Sequence, residues 1–98
     1  MGKIFKNQTA LQIQLTVGQS ITGSTAVVNY KKPSGSTGSW EAVIDDGDDG
    51  IISYTISSSE DLDESGGWRF WAGITYPDGT YVPGETAYEF VYDEGTGD

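Results

Sequence analysis

The chain is 98 residues long, carries 15 acidic against 5 basic side chains for a formal net charge of −10, and contains neither cysteine nor histidine. That length supports one domain with a modest core, and the missing residue types exclude disulfide staples, cysteine nucleophiles and the commonest general base and transition-metal ligand. The acidic surface argues against nucleic acid and anionic lipid as partners, and no run approaches the roughly 20 apolar residues of a membrane span.

The opening segment, Met1-Gly2-Lys3-Ile4-Phe5-Lys6, turns polar too soon for a signal peptide, so a complete, directly translated small protein is expected. Leu11, Ile13 and Leu15 then alternate with Gln12, Gln14 and Thr16, the period-2 pattern of a half-buried strand. A polar turn over 18–23 leads to a second run in which Ala26, Val28 and Tyr30 share a face. The turn Lys32-Pro33-Ser34-Gly35 separates it from a third run, where Trp40, Ala42 and Ile44 alternate with Glu41, Val43 and Asp45. An acidic loop, Asp45-Asp46-Gly47-Asp48-Asp49-Gly50, precedes Ile52, Tyr54 and Ile56. The segment 57–67 is polar except for Leu62 and is expected to make a short helical turn whose leucine plugs the end of the core. The strongest strand follows, with Trp68, Phe70, Ala72, Ile74 and Tyr76 on one face and Arg69, Trp71 and Thr75 on the other.

A second proline–glycine turn, Tyr76-Pro77-Asp78-Gly79, matches the first. In each, proline presets the first corner and glycine accepts a positive φ, so both read as hairpins. The last run, 80–93, is interrupted at Pro83-Gly84, which marks an edge position, a bulge or a strand changing sheets. Its register is open, because Tyr88, Phe90 and Tyr92 compete with Ala87 and Val91 for the core face. Together these runs predict an all-β, immunoglobulin-like antiparallel β-sandwich of about seven strands over 1–93, with a short acidic flexible tail at 94–98. Within it, Glu64-Ser65-Gly66-Gly67-Trp68-Arg69-Phe70 resembles the corner and following strand of immunoglobulin domains. The resemblance puts Trp68 at the family's aromatic position, Phe70 at its cysteine position and Trp40 near its core tryptophan.

Chemistry-bearing constellations are sparse. Asp45, Asp46, Asp48 and Asp49 form a weak calcium candidate: Asp45, Asp49 and Gly50 fit a helix–loop–helix calcium motif, but Gly47 and Ile56 occupy ligand positions and the flanks are strands. Carboxylate pairs are inevitable among 15 acids and so carry no catalytic information. No enzyme and no cofactor are expected. Trp40, Trp68 and Phe70 are read as core, while Trp71 and Tyr81, with Pro83 and Gly84, mark a candidate interaction surface for a protein or for sugars stacked on exposed rings.

The ordered strings Ile21-Thr22-Gly23-Ser24-Thr25, Tyr30-Lys31-Lys32-Pro33-Ser34-Gly35, Gly50-Ile51-Ile52-Ser53-Tyr54-Thr55, Gly67-Trp68, and Tyr76-Pro77-Asp78-Gly79 through Pro83-Gly84-Glu85 cover most of the chain. They resemble small immunoglobulin-like proteins of tailed bacteriophages and prophages, related to the N-terminal domain of baseplate upper proteins. That resemblance implies a non-enzymatic virion protein of the tail, baseplate, neck or capsid surface, made in the bacterial cytoplasm. Its implied partners are other virion proteins, in many copies or as a homo-oligomer. The alternative is a carbohydrate- or cell-surface-binding module that uses exposed aromatics.

Overall fold

Both proline–glycine turns fold as hairpin loops with one hydrogen-bond pattern. The Gly35 N–H donates to Lys32 C=O at 2.9 Å and the Lys32 N–H to Ser36 C=O at 2.8 Å; the Gly79 N–H donates to Tyr76 C=O and the Tyr76 N–H to Thr80 C=O, both at 2.8 Å. Gly35 and Gly79 sit at φ of 99° and 91°, the left-handed corner that closes a three-residue hairpin loop. The two loops lie at opposite ends of their shared sheet, since Lys31 pairs with Arg69 and Thr25 with Thr75.

The computed structural model describes residues 4–58, 60–84 and 86–93. The tail expected over 94–98 lies outside the described residues. Strands run over Ile4–Phe5 (β1), Gln12–Thr16 (β2), Thr25–Lys31 (β3), Thr37–Glu41 (β4), Val43–Asp46 (β5), Ile51–Thr55 (β6), Gly66–Thr75 (β7), Tyr81–Pro83 (β8) and Ala87–Tyr92 (β9). They form two sheets: a six-stranded one ordered β1-β9-β7-β3-β4, with β8 also on β7, and a three-stranded one ordered β2-β6-β5. The predicted all-β sandwich is thus observed, in immunoglobulin-like style. Every strand pair is antiparallel except β1 with β9, which is parallel.

One feature of the connectivity differs from the strand-by-strand expectation, and at Pro83-Gly84 the structure selects among the three alternatives. The run through Trp40, Ala42 and Ile44 is not one strand. It pairs with β3 up to Glu41, the Ala42 N–H donates to Ala26 C=O at 3.0 Å, and from Val43 it pairs with β6 in the other sheet. The sheet change therefore falls at Ala42. At Pro83-Gly84 the strand stays in its sheet: the Gly84 N–H still reaches Ala72 C=O at 2.8 Å. Register shows a bulge there, because Gly73 faces Pro83 while Phe70, three residues earlier, faces Ala87, four residues later. The helical turn expected near Leu62 is instead a non-helical hydrogen-bonded turn, with Asp61 N–H donating to Ser58 C=O at 3.0 Å. Leu62 does plug the core there, at 1% exposure.

Between the sheets lies an aromatic cluster centred on Trp40. Its indole stacks on Tyr54 at 4.8 Å, lies 4.5 Å from Tyr30, and packs on Phe70 and Trp68 at 5.9 and 6.5 Å. Gly38 faces Tyr30 across the ladder, and any Cβ there would collide with the phenol, so glycine lets that ring cross β4. The Trp68 indole N–H donates to Glu64 C=O at 2.9 Å, satisfying the polar atom of a fully buried side chain. Ile21, Val28, Ile52, Ile56, Ile74 and Val91 complete the core.

Removing the ring at the centre of this cluster, Trp40→Ala, is expected to destabilise the fold by about 3 kcal/mol, measured by urea unfolding. High pH tests the packing differently. Burial, then a 2.8 Å bond donated to Asp61, raises the Tyr54 hydroxyl above its ordinary 10.0. The 2.9 Å bond to Asp63 raises Lys32 above 10.5, against a smaller opposing effect of burial. Both groups hold their protons more tightly folded than unfolded, so their stabilisation is complete below the unfolded values and lost as pH rises through the folded ones. Melting temperatures are expected to hold steady to about pH 10 and fall above it, with Tyr54→Phe removing part of the fall.

Candidate interaction face

Strand β7 is the axis of the larger sheet and alternates cleanly: Trp68, Phe70, Ala72 and Ile74 point inward and are buried, while Gly67, Arg69, Trp71, Gly73 and Thr75 point outward. Its neighbours are set by register. Tyr88 lies opposite Arg69 and Phe90 opposite Gly67. Tyr81 lies opposite Thr75 and Pro83 opposite Gly73. Beyond β9, Phe5 pairs with Tyr92. One face of one sheet therefore carries six aromatic side chains, of which Tyr81, Tyr88 and Phe90 are 52%, 68% and 55% exposed.

The bulge at Pro83-Gly84 decides this arrangement. Along β8 the outward residues are odd-numbered, Tyr81 and Pro83; along β9 they are even-numbered, Tyr88, Phe90 and Tyr92. One extra residue between the two segments reverses the parity, so Val91 enters the core and the rings stay outside. A regular ladder would have sent those rings inward.

The face is also tied internally. Phe90 and Tyr92 pack at 4.8 Å and Phe5 and Tyr92 at 6.4 Å, in tilted pairs. The Arg69 guanidinium lies 5.3 Å from the Tyr88 ring centre, a cation–π contact. At the other end, Tyr81 runs over Gly73, and its hydroxyl accepts a hydrogen bond from Asn29 Nδ2 at 3.0 Å. Asn29 is in turn the ladder partner of Trp71, which is half-buried.

Of the residues singled out from sequence, Trp71, Tyr81 and Pro83 share this face, and Gly84 follows with its N–H still bonded to Ala72 C=O, just before Ala87 takes up the shifted register. Tyr88 and Phe90, the most exposed rings, join them only in the structure, because parity past the bulge is invisible in the alternation itself. The acidic loop is built differently from an ion cage. Asp46 accepts the Asp49 N–H at 3.1 Å, Asp48 accepts the Thr22 hydroxyl at 3.1 Å, and the Ile21 N–H donates to Gly47 C=O at 2.7 Å. Among the described residues no three His, Cys, Asp or Glu side chains are grouped to hold a metal ion, so Asp45, Asp46, Asp48 and Asp49 do not converge.

The architecture has a solved counterpart. It is similar to the crystal structure of CopC from Methylosinus trichosporium OB3b, with a TM-score of 0.61 over 98% of this chain and 89% of that one, at 11% sequence identity. That likeness shows the fold alone. No family model matches the chain, and no curated protein matches it. These findings correct the expected kinship with bacteriophage baseplate proteins: the similarity found is to CopC, and no phage family emerges. The strings that suggested it are mostly turns and strand starts, which hairpin geometry imposes on unrelated sandwiches.

A Cβ on Gly73 would stand 2.5 Å from Tyr81 Oη and 2.6 Å from Asn29 Nδ2. Gly73→Ala is therefore expected to displace this pair and cost about 1–3 kcal/mol in urea unfolding. The cost should shrink when Tyr81→Ala has already removed one of these contacts and freed Asn29 to move aside.

Proposed function

We propose that the chain is a non-enzymatic binding module that engages a protein partner through the outer face of its six-stranded sheet. The observation that carries this reading is the grouping of Tyr81, Tyr88 and Phe90, each more than half exposed, on one hydrogen-bonded sheet face. Exposed aromatics side by side leave apolar area in water, which a bound partner removes, and tyrosine, phenylalanine and arginine are enriched where interfaces form. The rings stand on strands, so little backbone ordering accompanies binding. Rings, one guanidinium and one amide are groups that recognise a surface. The virion setting rested on the phage resemblance alone, and the proposal stands without it.

A second reading is supported by the mixture of stacking and hydrogen-bonding groups: Arg69 beside Tyr88 and Asn29 beside Tyr81 offer polar contacts next to open ring faces, as sugar recognition needs.

Photo-crosslinking separates these readings. A benzophenone amino acid at position 90 is expected to capture one protein species in the cell of origin, while the same group at Val43, 64% exposed on the other sheet, captures none. The double variant Tyr88→Ala/Phe90→Ala should weaken binding of that species at least about tenfold, with a melting temperature within about 2 °C of the parent because exposed rings contribute little to folding. Undiminished binding by the double variant would refute the proposal. Glycan-array binding lost in that variant, without a protein crosslink, would establish the sugar reading instead.

A further inference from the structure

Strand edges expose unpaired N–H and C=O groups, and native sheets ordinarily blunt them with charge, proline, bulges or brevity. Most edge strands here carry such a device. β1 has two residues, and β8 has three and ends in Pro83. β5 contains Asp45 and Asp46 with a register shift, and β4 ends at Glu41, where the chain leaves the sheet. β2 is the exception. Its sequence, Gln12-Ile13-Gln14-Leu15-Thr16, has no charge, proline or glycine, pairs with β6 in unbroken register, and ends the sheet order β2-β6-β5.

The hydrogen-bonding groups on that edge can be assigned. The Val17 N–H donates to Gly50 C=O at 2.6 Å, in the same register as β2 with β6. Ile13 and Leu15, two and four residues back, therefore bond toward β6, and the N–H and C=O of Gln12, Gln14 and Thr16 point away from it. Beneath this edge the two sheets leave an apolar cleft of about 100 Å³, lined by Leu11, Ile13, Leu15, Phe70, Ala87 and Glu89. Glu89 occupies an inward-register position of β9, between Ala87 and Val91, yet is exposed, so it sets a carboxylate at the cleft where an apolar residue would close the core.

We propose that the β2 edge is a docking site for an extended strand of another polypeptide, one that pairs with Gln12–Thr16 and sets a lysine or arginine against Glu89. Main-chain pairing supplies the affinity of such strand addition, and side chains entering the cleft supply the selectivity. A basic partner fits both Glu89 and the net charge of −10. A second copy fits neither: two chains of the same charge repel, and β2 brings no basic residue to the other's Glu89.

The test uses two blocked, fluorescently labelled peptides of alternating valine and threonine, one with a central lysine and one with a central glutamate, in anisotropy titrations with the full chain. Saturable binding of the lysine peptide is expected, at least about tenfold tighter than the glutamate peptide. Gln14→Pro should abolish it while leaving the melting curve in place, because the amide at this position faces the open edge and not β6. Should Gln14→Pro fail to fold, Glu89→Lys decides, by inverting the preference between the peptides. Tyr88→Ala/Phe90→Ala should leave peptide binding unchanged, which keeps this site distinct from the aromatic face. The proposal is overturned if the lysine peptide does not bind, if both peptides bind equally, or if sedimentation shows a wild-type dimer that Gln14→Pro dissolves.

Discussion

The structure depends on how one run of chain serves two sheets. Trp40 is the last inward residue before the chain leaves β3, and its ring lies between Tyr30 of the larger sheet, in a tilted contact, and Tyr54 of the smaller, on which it stacks. Two residues later Ala42 makes its final bond to β3, and Ile44 already packs from the other side. The indole thus sits where the sheets are joined covalently, and its stacking holds them in register with one another. Tyr30 can reach it because Gly38 is bare. The first hairpin is held to the same cluster from outside. Lys32 pairs with Asp63 at 2.9 Å, and the Ser34 hydroxyl donates to Glu64 at 2.9 Å, beside the carbonyl that receives the Trp68 indole.

A sandwich built this way leaves its two sheets unequal. The larger sheet gains β1, β8 and β9, and its outer surface is broad enough to carry a row of rings. The smaller sheet has three strands, and among the described residues nothing covers it beyond β2. The two candidate contact regions follow from that imbalance. The aromatic face exists because β9 enters the sheet one residue out of phase with β8. The bare edge exists because, among the described residues, no strand pairs with the side of β2 that faces away from β6. They differ in chemistry: ring area on the first, main-chain hydrogen bonds and a single carboxylate on the second. A protein using both would contact different elements of its surroundings from different sides.

Much of the fold was legible from local signals. Proline followed two residues later by glycine dictated both hairpins, since the first restricts φ and the second alone accepts the left-handed corner without strain. Alternation located the inward faces of β3, β6 and β7 and placed Trp68 and Phe70 in the core. The errors came where a non-local choice overrides alternation. Trp40, Ala42 and Ile44 alternate as in one strand, yet they divide between sheets, because a strand can change partners without changing its pleat. Polarity predicts a helical turn around Leu62, but the segment is tied to a distant part of the chain, the turn after β1, through Asn7 N–H to Leu62 C=O at 2.7 Å.

The site divides in the same way. That Trp71 and Tyr81 point away from the core follows from period-2 reading on either side of the second hairpin. That Tyr88 and Phe90 join them does not, because both parities of the last run put apolar residues inward and only the bulge selects between them. The family resemblance failed for a related reason: turn motifs report the geometry of a hairpin, which many unrelated sandwiches share. Legible in the sequence alone were most of the strand runs, both hairpin turns and the aromatic core, all fixed by backbone sterics and burial within a few residues; the two-residue β1 and the division of the Trp40 run into β4 and β5 were not. Which sheet each strand joins, which face the last rings take and which edge stays open were decided only by tertiary packing, because pairing energy between strands depends on partners distant in the chain.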